Sequence, residues 1–421
     1  MNIEISRSKP EIMHIDLNSA FAMAEQQANP LLRGRPVGVS NRLSDTAICI
    51  AASPEAKDQG VGLGTRLPEA RLKAPGFVMV ESDPAKYQHV YQLVQQIFSS
   101  YTPGFVMRSV DEGILDFQGM NSLLNGRSLV DVGLEIKQRV REEVGDYMKI
   151  NVGIAPNRWL AKLAAGFLKP DGLFVIDHQN LEAVYASLDL VDLPYIKQRN
   201  RLRLNGAGIL TPLEFLRAPE PVLTKQVFKS INGRHWYLKL RGYETEVEWG
   251  IRSAGRSYVL DHRTADSEEL KALLCRASMK VARRLGRNHL AARGVFLQLN
   301  YVGHPSRNVG YYRSGWQQRR MYPTAAWRGQ QIFDRVLDLF AQSPQGRVVS
   351  SMALTTYALE PAPDRQLSLD DYWFGRTDSL ERVMNSVNNK YGELVLAPAT
   401  AWKSRNRMPD KIPFGSVRYF H

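Results

Sequence analysis

Apolar positions crowd together at Ile12, Met13 and Ile15, then recur at Leu17, Ala20, Phe21 and Ala24 with the spacing of one helix face. This pattern predicts a short buried strand running into an amphipathic helix. The alternation continues to about residue 176. Strands are expected near 12–16, 36–40, 47–52, 77–81, 104–109, 112–117, 150–155 and 173–176, and helices near 18–28, 84–101, 126–144 and 157–168. That is a mixed α/β body with a small subdomain inserted between about 22 and 78. Residues 178–245 read as mainly helical, with a Pro-initiated turn between two short helices and Gly206 and Gly208 at a helix end. Beyond them the pattern predicts a strand at Ser257–Leu260, a helix at Ser267–Leu285, strands at Arg293–Val302 and Gly310–Tyr322, a helix at Ala326–Phe340 and a strand at Val348–Leu359. The order βαββαβ is a split βαβ arrangement, with both helices on one sheet face and the other face free to meet a partner. Pro361-Ala362-Pro363 opens a linker and tail with few core-forming stretches. The expected class is α/β multidomain.

Size and composition narrow the function. A chain of 421 residues with 44% apolar content supports two to four domains with real cores. No apolar run approaches the ~18 residues of a membrane span, and the N-terminal MNIEISRSKPE has no secretory h-region. Cys49 and Cys275 are the two cysteines, which build neither a disulfide framework nor a Cys-based zinc site. A reducing cytoplasm is the expected location. The net charge of +13 is uneven: residues 250–360 hold 17 Lys and Arg against 7 Asp and Glu, a local +10. A soluble basic surface is one explanation. A domain-sized positive patch more often meets a polyanion, by counterion release from phosphates. The arginines are spread over strands and helices alike, which speaks against an amphipathic membrane-surface helix.

Two acidic sites carry candidate chemistry. Asp16 stands at the end of the first apolar strand, where it reads either as a helix N-cap or as a ligand. In FVMRSVDEGILDF, Phe105–Phe117, an apolar strand runs into Asp111-Glu112, turns at Gly113 and returns. Adjacent strand residues face opposite sides, so both carboxylates converge only if the chain bends there. The alternative is a turn acid beside a surface acid. A three-carboxylate cluster repels itself unless a cation neutralises it, and hard oxygen donors suit Mg²⁺ or Mn²⁺. Two such ions about 3.5–4 Å apart activate a hydroxyl and stabilise a leaving phosphate. Together with the basic domain, the two acid sites point to nucleotidyl transfer.

Over nearly its whole length the sequence resembles the Y-family, or translesion, DNA polymerases. IDLNSAF followed by A-x-A-E is similar to the first palm motif and SVDEGILD to the second. GIAPNRWLAKLAAGFLKPDG, Gly153–Gly172, matches the third block, and ASPEAKDQGVGLG, Ala52–Gly64, resembles the fingers segment of the UmuC-like branch. The resemblance implies a right-handed architecture: palm 1–21 and 79–176, fingers 22–78, thumb 177–246, little finger 250–360, then a linker and tail over 361–421. It also assigns roles. Asp16, Asp111 and Glu112 become the catalytic metal-binding acids, with the Leu17 carbonyl as a further ligand, for two Mg²⁺ ions (Mn²⁺ as substitute). Phe21 becomes the steric gate against the sugar of the incoming dNTP. Backbone N–H groups near Ala20 and Phe21, with Lys57 and Lys169, become the triphosphate contacts. Primer–template DNA is the implied partner; the local charge of residues 250–360 makes Arg256, Arg293, Arg319 and Arg320, on predicted strands, the candidate DNA contacts there, with Lys197 a further one in the helical segment. The implied activity is low-fidelity synthesis across damaged bases, within the SOS response to DNA damage, by a cytoplasmic monomer.

The sequence departs from the family pattern at three places. Ala20 stands where most relatives have an aromatic, and Pro54 stands near the place of a tyrosine that often contacts the triphosphate. The thumb turn reads Pro194-Tyr195-Ile196-Lys197 instead of P-G-I-G, which removes the glycines of a phosphate nest and leaves charge from Lys197 or Arg199 to substitute. In the linker, Gln366, Leu367 and Leu369 resemble the peptide by which bacterial polymerases dock on the sliding clamp, with Asp370 where the terminal aromatic usually stands. Two rival classes remain: a non-catalytic adaptor with a polymerase fold, which would lack the acids, and a phosphate-binding nuclease, which would not need the fingers and thumb segments.

Overall fold

Strand β1 (Ile12–Leu17) is the central strand of a five-stranded sheet, flanked by Glu112–Asp116 and then Gly104–Met107 on one side and by Ile150–Ala155 and then Leu173–Val175 on the other. The computed structural model describes residues 3–245, 251–302, 315–362 and 383–408, apart from positions 46, 125, 385, 389, 393, 403 and 406. They form two units, one up to residue 245 and one from residue 251 to 408. In the first, β1 is followed by α1 (Ala20–Ala28), β2 (Val37–Ser40), β3 (Ala51–Ala52), α2 (Pro54–Asp58), α3 (Leu67–Lys73), β4 (Val78–Glu81) and α4 (Pro84–Ser99). Next come β5 (Gly104–Met107), β6 (Glu112–Asp116), α5 (Asn121–Leu124), α6 (Leu129–Arg139), β7 (Ile150–Ala155), α7 (Arg158–Ala164) and β8 (Leu173–Val175). Among the described residues, the α-helices α8 (Leu181–Ala186), α9 (Gln198–Asn205), α10 (Pro212–Arg217) and α11 (Asn232–Leu240) follow.

Strand periodicity sorts β1 between two cores. Met13, Ile15 and Leu17 pack with α4 and α6 residues such as Tyr91, Phe98 and Ile136. Ile12 on the other face packs with Trp159 and Leu160 of α7 and continues into the helical segment through Tyr185, Phe215 and Tyr237. Alternate residues share a face, so His14 and Asp16 lie on the α7 side with Ile12. The inserted segment has its own small sheet, β3-β2-β4, over an alanine-rich core that includes Cys49, Ala52, Ala56, Leu67 and Phe77. No described helix is long and apolar enough to cross a membrane.

The second unit follows the expected order: β9 (Ser253–Thr264), α12 (Ser267–Arg287), β10 (Leu290–Tyr301), β11 (Gly315–Ala326), α13 (Gly329–Phe340) and β12 (Val349–Pro361). Its antiparallel sheet is ordered β11-β10-β12-β9. Both helices pack on one face, against Val295, Leu297, Leu299, Met352 and Leu354. The opposite face is lined by small and neutral polar residues such as Ser257, Gln298, Ser351 and Thr355. The register divides the basic candidates. Arg319 pairs with Phe296 and shares the open face, whereas Arg320 pairs with Val295 and Arg256 with Leu354, on the helix side. Arg293 falls in the β10 bulge, between Ala292 and Gly294.

The tail contributes more core than its composition predicts. Ala401 and Met408 are fully buried in the second unit's core, and Ser404 Oγ donates to the Ala272 carbonyl of α12 at 3.1 Å. Two isolated apolar anchors do not make a hydrophobic run, so sequence periodicity does not reveal them. Gln366, Leu367 and Leu369, and the first residues of the strand expected from Gly310, lie outside the described residues.

Candidate active site

Asp16 does not cap the helix that follows it. Helix α1 begins at Ala20 with Ser19 as its N-cap, in the left-handed conformation (φ 46°) and with no side-chain capping bond. The register sets Asp16 directly opposite Glu112 of β6, so the two carboxylates share the α7 face. Asp111 lies one residue before β6, and its carbonyl accepts the Leu17 N–H at 2.8 Å, stitching the turn to the end of β1. The bend expected at Gly113 falls earlier. The N–H groups of Arg108 and Ser109 both donate to the Glu112 carbonyl, at 2.8 and 3.2 Å, so the chain reverses over 108–111. Gly113 is a strand residue opposite Ile15, and a Cβ there would stand 2.9 Å from the Phe98 ring.

Two of the acids are held by lysines. Lys169 Nζ donates to Asp16 Oδ2, and Lys162 Nζ sits 2.5 and 2.6 Å from the two Glu112 oxygens. Lys57 Nζ donates to Ser19 Oγ at 2.7 Å. Burial, and then the nearby Lys169 charge, hold the Lys57 ammonium below the usual lysine range, while Asp16 and Asp111 pull it back up. Asp111 accepts a hydrogen bond from Ser109 Oγ. Burial lifts its carboxyl above the ordinary value; the Ser109 bond opposes this and the charges of Asp16 and Glu112 add to it. With Asp16 and Glu112 each turned onto a lysine, no three His, Cys, Asp or Glu side chains among the described residues are gathered closely enough to hold a metal ion. The three-carboxylate cluster expected from sequence is therefore open as the chain stands.

His14 lies beneath this pair, buried, with Nε2 3.8 Å from Glu112 Oε2 and neither ring nitrogen hydrogen-bonded. Burial first, then the charges of Lys162, Lys169 and Arg108, push its pKa down to about 3. It is a neutral imidazole at pH 7.

Lys162 reaches Glu112 because α7 lies almost on the sheet. Asn157 caps α7 through the Leu160 N–H at 2.7 Å and donates its own amide to the Lys239 and Tyr243 carbonyls. Below it, a Cβ at Gly153 would stand 2.1 Å from both the Ala161 carbonyl oxygen and the Ala165 nitrogen. Both are backbone atoms, so Gly153→Ala must push the helix off the sheet. We expect a loss of at least about 3 kcal/mol in urea unfolding, the upper range for core overpacking. A loss near zero would show that α7 is not held this closely.

Phe21, the second residue of α1, is half-buried and stacks on Tyr87 of α4, with ring centroids 4.5 Å apart and planes 19° apart. Tyr87 Oη donates to Glu25 Oε1 at 2.7 Å, and Lys86 pairs with the other Glu25 oxygen at 2.5 Å. The small neighbour Ala20 therefore does not leave the ring unbraced; the brace comes from α4. In the helical segment, Tyr195 adopts φ 69°, the left-handed conformation that glycine takes freely. Tyr195 takes that conformation without being a glycine, and Lys197 and Arg199 are exposed beside it.

Lys162, His14 and Tyr87 also belong to this constellation, and none of them has a role assigned from sequence. Lys162 does carry a signal, since it lies within the Gly153–Gly172 block on the helix capped by Asn157. His14 and Tyr87 read as core positions, and only the register and ring stacking reveal their neighbours.

Residues 15–166 match the impB/mucB/samB family, and residues 251–369 match the impB/mucB/samB family C-terminal domain. The chain is 31% identical over 413 residues to a DNA polymerase IV of Moorella thermoacetica, covering 93% of this chain and 96% of that one. It is 30% identical over 296 residues to a DNA polymerase IV of Staphylococcus aureus, covering 68% of this chain and 80% of that one. Among solved structures, the fold is similar to a Y-family DNA polymerase chimera of Dbh and Dpo4, with a TM-score of 0.67 at 22% identity. It is also similar to an insertion ternary complex of Dbh DNA polymerase, with a TM-score of 0.59 at 21% identity. Each covers 82% of this chain and 98% of the other.

Proposed function

The chain belongs to the Y-family of DNA polymerases and is a DNA-directed DNA polymerase, and from that premise we propose that it copies damaged templates at low fidelity by two-metal nucleotidyl transfer. The observation that carries this reading is the strand register that pairs Asp16 with Glu112 and ties Asp111 to Leu17. The donor set fits divalent ions. All three side chains are hard oxygen donors, and Asp111 is already under repulsion from its two neighbours. Asp16, Asp111, Glu112 and the Leu17 carbonyl would hold Mg²⁺, with Glu112 on the primer side. Such ions, when bound, activate the primer hydroxyl and stabilise the departing phosphate. The protein's own part is to position the reactants. Lys57 and Lys169 hold the triphosphate together with the first N–H groups of α1. Phe21 lies under the sugar, and the neutral His14 adds no charge beneath Glu112.

Low fidelity follows from the inserted segment, taken as fingers. Its core is built of small side chains such as Cys49, Ala52 and Ala56, which makes a slight body, and the half-buried Ala51 adds little bulk at its surface with which to test base-pair shape. Such a site passes a distorted pair that a tight one would reject. All three acids are present, which argues against the non-catalytic adaptor. The test is primer extension on templates with and without an abasic position. Extension past the abasic position, with frequent mismatches on the undamaged template, is expected. A stop at the lesion with accurate copying elsewhere would refute the translesion role.

The second unit, taken as the little finger, supplies phosphate contacts through its basic surface. The register predicts unequal roles for its arginines. Arg319→Ala should weaken duplex binding about tenfold at low salt and lower the slope of log affinity against log salt by about one. Arg256→Ala, on the helix-covered face, should leave both unchanged in the same titration. Equal effects would show that the open face is not the DNA face. Docking of Gln366, Leu367 and Leu369 on a sliding clamp completes the proposal, as do action as a monomer in the cytoplasm and a place in the SOS response.

A further inference from the structure

The three acids carry three negative charges, and the chain supplies its own compensation. Lys162 grips both oxygens of Glu112, at 2.5 and 2.6 Å, from a helix whose closeness Gly153 enforces. Lys169 holds Asp16. The two ammoniums differ in freedom. Lys169 is nearly half exposed, in the segment after α7, whereas Lys162 is only a quarter exposed, on the helix itself. His14, also next to Glu112, stands at 3.8 Å, beyond hydrogen-bond reach. An ammonium on both oxygens of a carboxylate takes one lone pair from each and offsets the charge that would draw a divalent cation, so the two cations compete for the group.

We infer that Lys162 is a positioning residue that holds Glu112 as a resident counter-charge and competes with the divalent ion for that carboxylate. The inference rests on the polymerase reading of the acids and deepens it. In the ion-free protein Lys162 keeps Glu112 from being repelled by Asp111, at some loss of affinity for the ion. Filling the site then frees one ammonium beside the acids, where it can neutralise negative charge on the substrate. Coupling of this kind makes ion affinity depend on a residue that is not itself a ligand.

The test is direct Mn²⁺ binding to the full chain without DNA, read by the loss of the free-ion electron paramagnetic resonance signal. Lys162→Met removes the charge and keeps much of the stem; it should tighten Mn²⁺ binding about two- to fivefold, the scale of losing one partly exposed ion-pair competitor. Lys162→Arg, which keeps the charge, should return the affinity toward that of the unaltered protein. Lys162→Met should also lower the melting temperature in chelator and regain the difference when Mn²⁺ is added. Unchanged or weaker Mn²⁺ binding by a folded Lys162→Met protein would overturn the inference. Glu112→Gln separates this from the underlying reading. If it abolishes Mn²⁺ binding while Lys162→Met fails to tighten it, the acid site stands and the competition falls. If the unaltered protein binds no Mn²⁺ that Glu112→Gln removes, both fall.

Discussion

Asp111→Ala is expected to reduce primer extension by more than about a thousandfold while leaving primer–template affinity within about twofold, as removal of a charge-stabilising group at a reacting centre does. Asp16→Ala and Glu112→Ala should do the same, since the three carboxylates act as one donor set. The expectation is strongest for Asp111. Its carbonyl ties the turn to Leu17, and its carboxyl is raised by burial and, more weakly, by the charges of Asp16 and Glu112. A fold that tolerates such a group maintains charge against its own stability. Asp111→Asn should therefore leave the melting temperature in chelator unchanged or higher, even though extension is lost. A purely structural Asp111 would behave oppositely, with stability falling and extension surviving in the folded fraction. Single-turnover extension with a parallel thermal melt separates the two.

Phe21→Ala should raise incorporation of ribonucleotides relative to deoxyribonucleotides by about two to three orders of magnitude, equivalent to about 3–4 kcal/mol of discrimination. Extension with dNTPs should persist. The ring occupies the second position of α1, two residues after the left-handed Ser19 just beyond the end of β1. Stacking on Tyr87, itself anchored to Glu25, fixes where the ring stands. A ring held in this way would exclude a 2′-hydroxyl by contact, without any hydrogen bond to the base or sugar. Because its support comes from α4, the small Ala20 need not weaken the gate. Competition between matched ribo- and deoxyribonucleotides in single-nucleotide extension measures the ratio. An unchanged ratio in a folded Phe21→Ala protein would return Phe21 to the role of an ordinary core residue.

Much of this was readable in the chain itself, for definite reasons. β1 and its acid stood out because an apolar run ends abruptly in a carboxylate, and the second unit's βαββαβ order followed from strands and helices long enough to show their periods. Local backbone geometry was less legible. Gly113 invites a bend in sequence, yet the turn lies at 108–111 because two N–H groups converge on the Glu112 carbonyl. Long-range pairing was not legible at all. Nothing in the sequence announces that Lys162 meets Glu112, since that contact depends on a helix packing against Gly153. The arginines show the same limit. Their abundance predicts a basic domain, but only the register decides that Arg319 faces outward while Arg256 and Arg320 lie on the helix side. Ala401 and Met408 sit in a tail whose composition reads as linker, because two isolated apolar residues have no period to detect.

The central claim is that Asp16, Asp111 and Glu112 form the metal-dependent centre of a template-directed polymerase. Single-nucleotide primer extension, with the template base varied and Mg²⁺ present or chelated, tests it most directly. The account predicts addition that requires Mg²⁺ or Mn²⁺, follows the template base in preference, and disappears in an Asp111→Ala protein prepared in parallel. Extension of equal rate by the Asp111→Ala protein, or no extension by the folded unaltered protein with either ion, would contradict it.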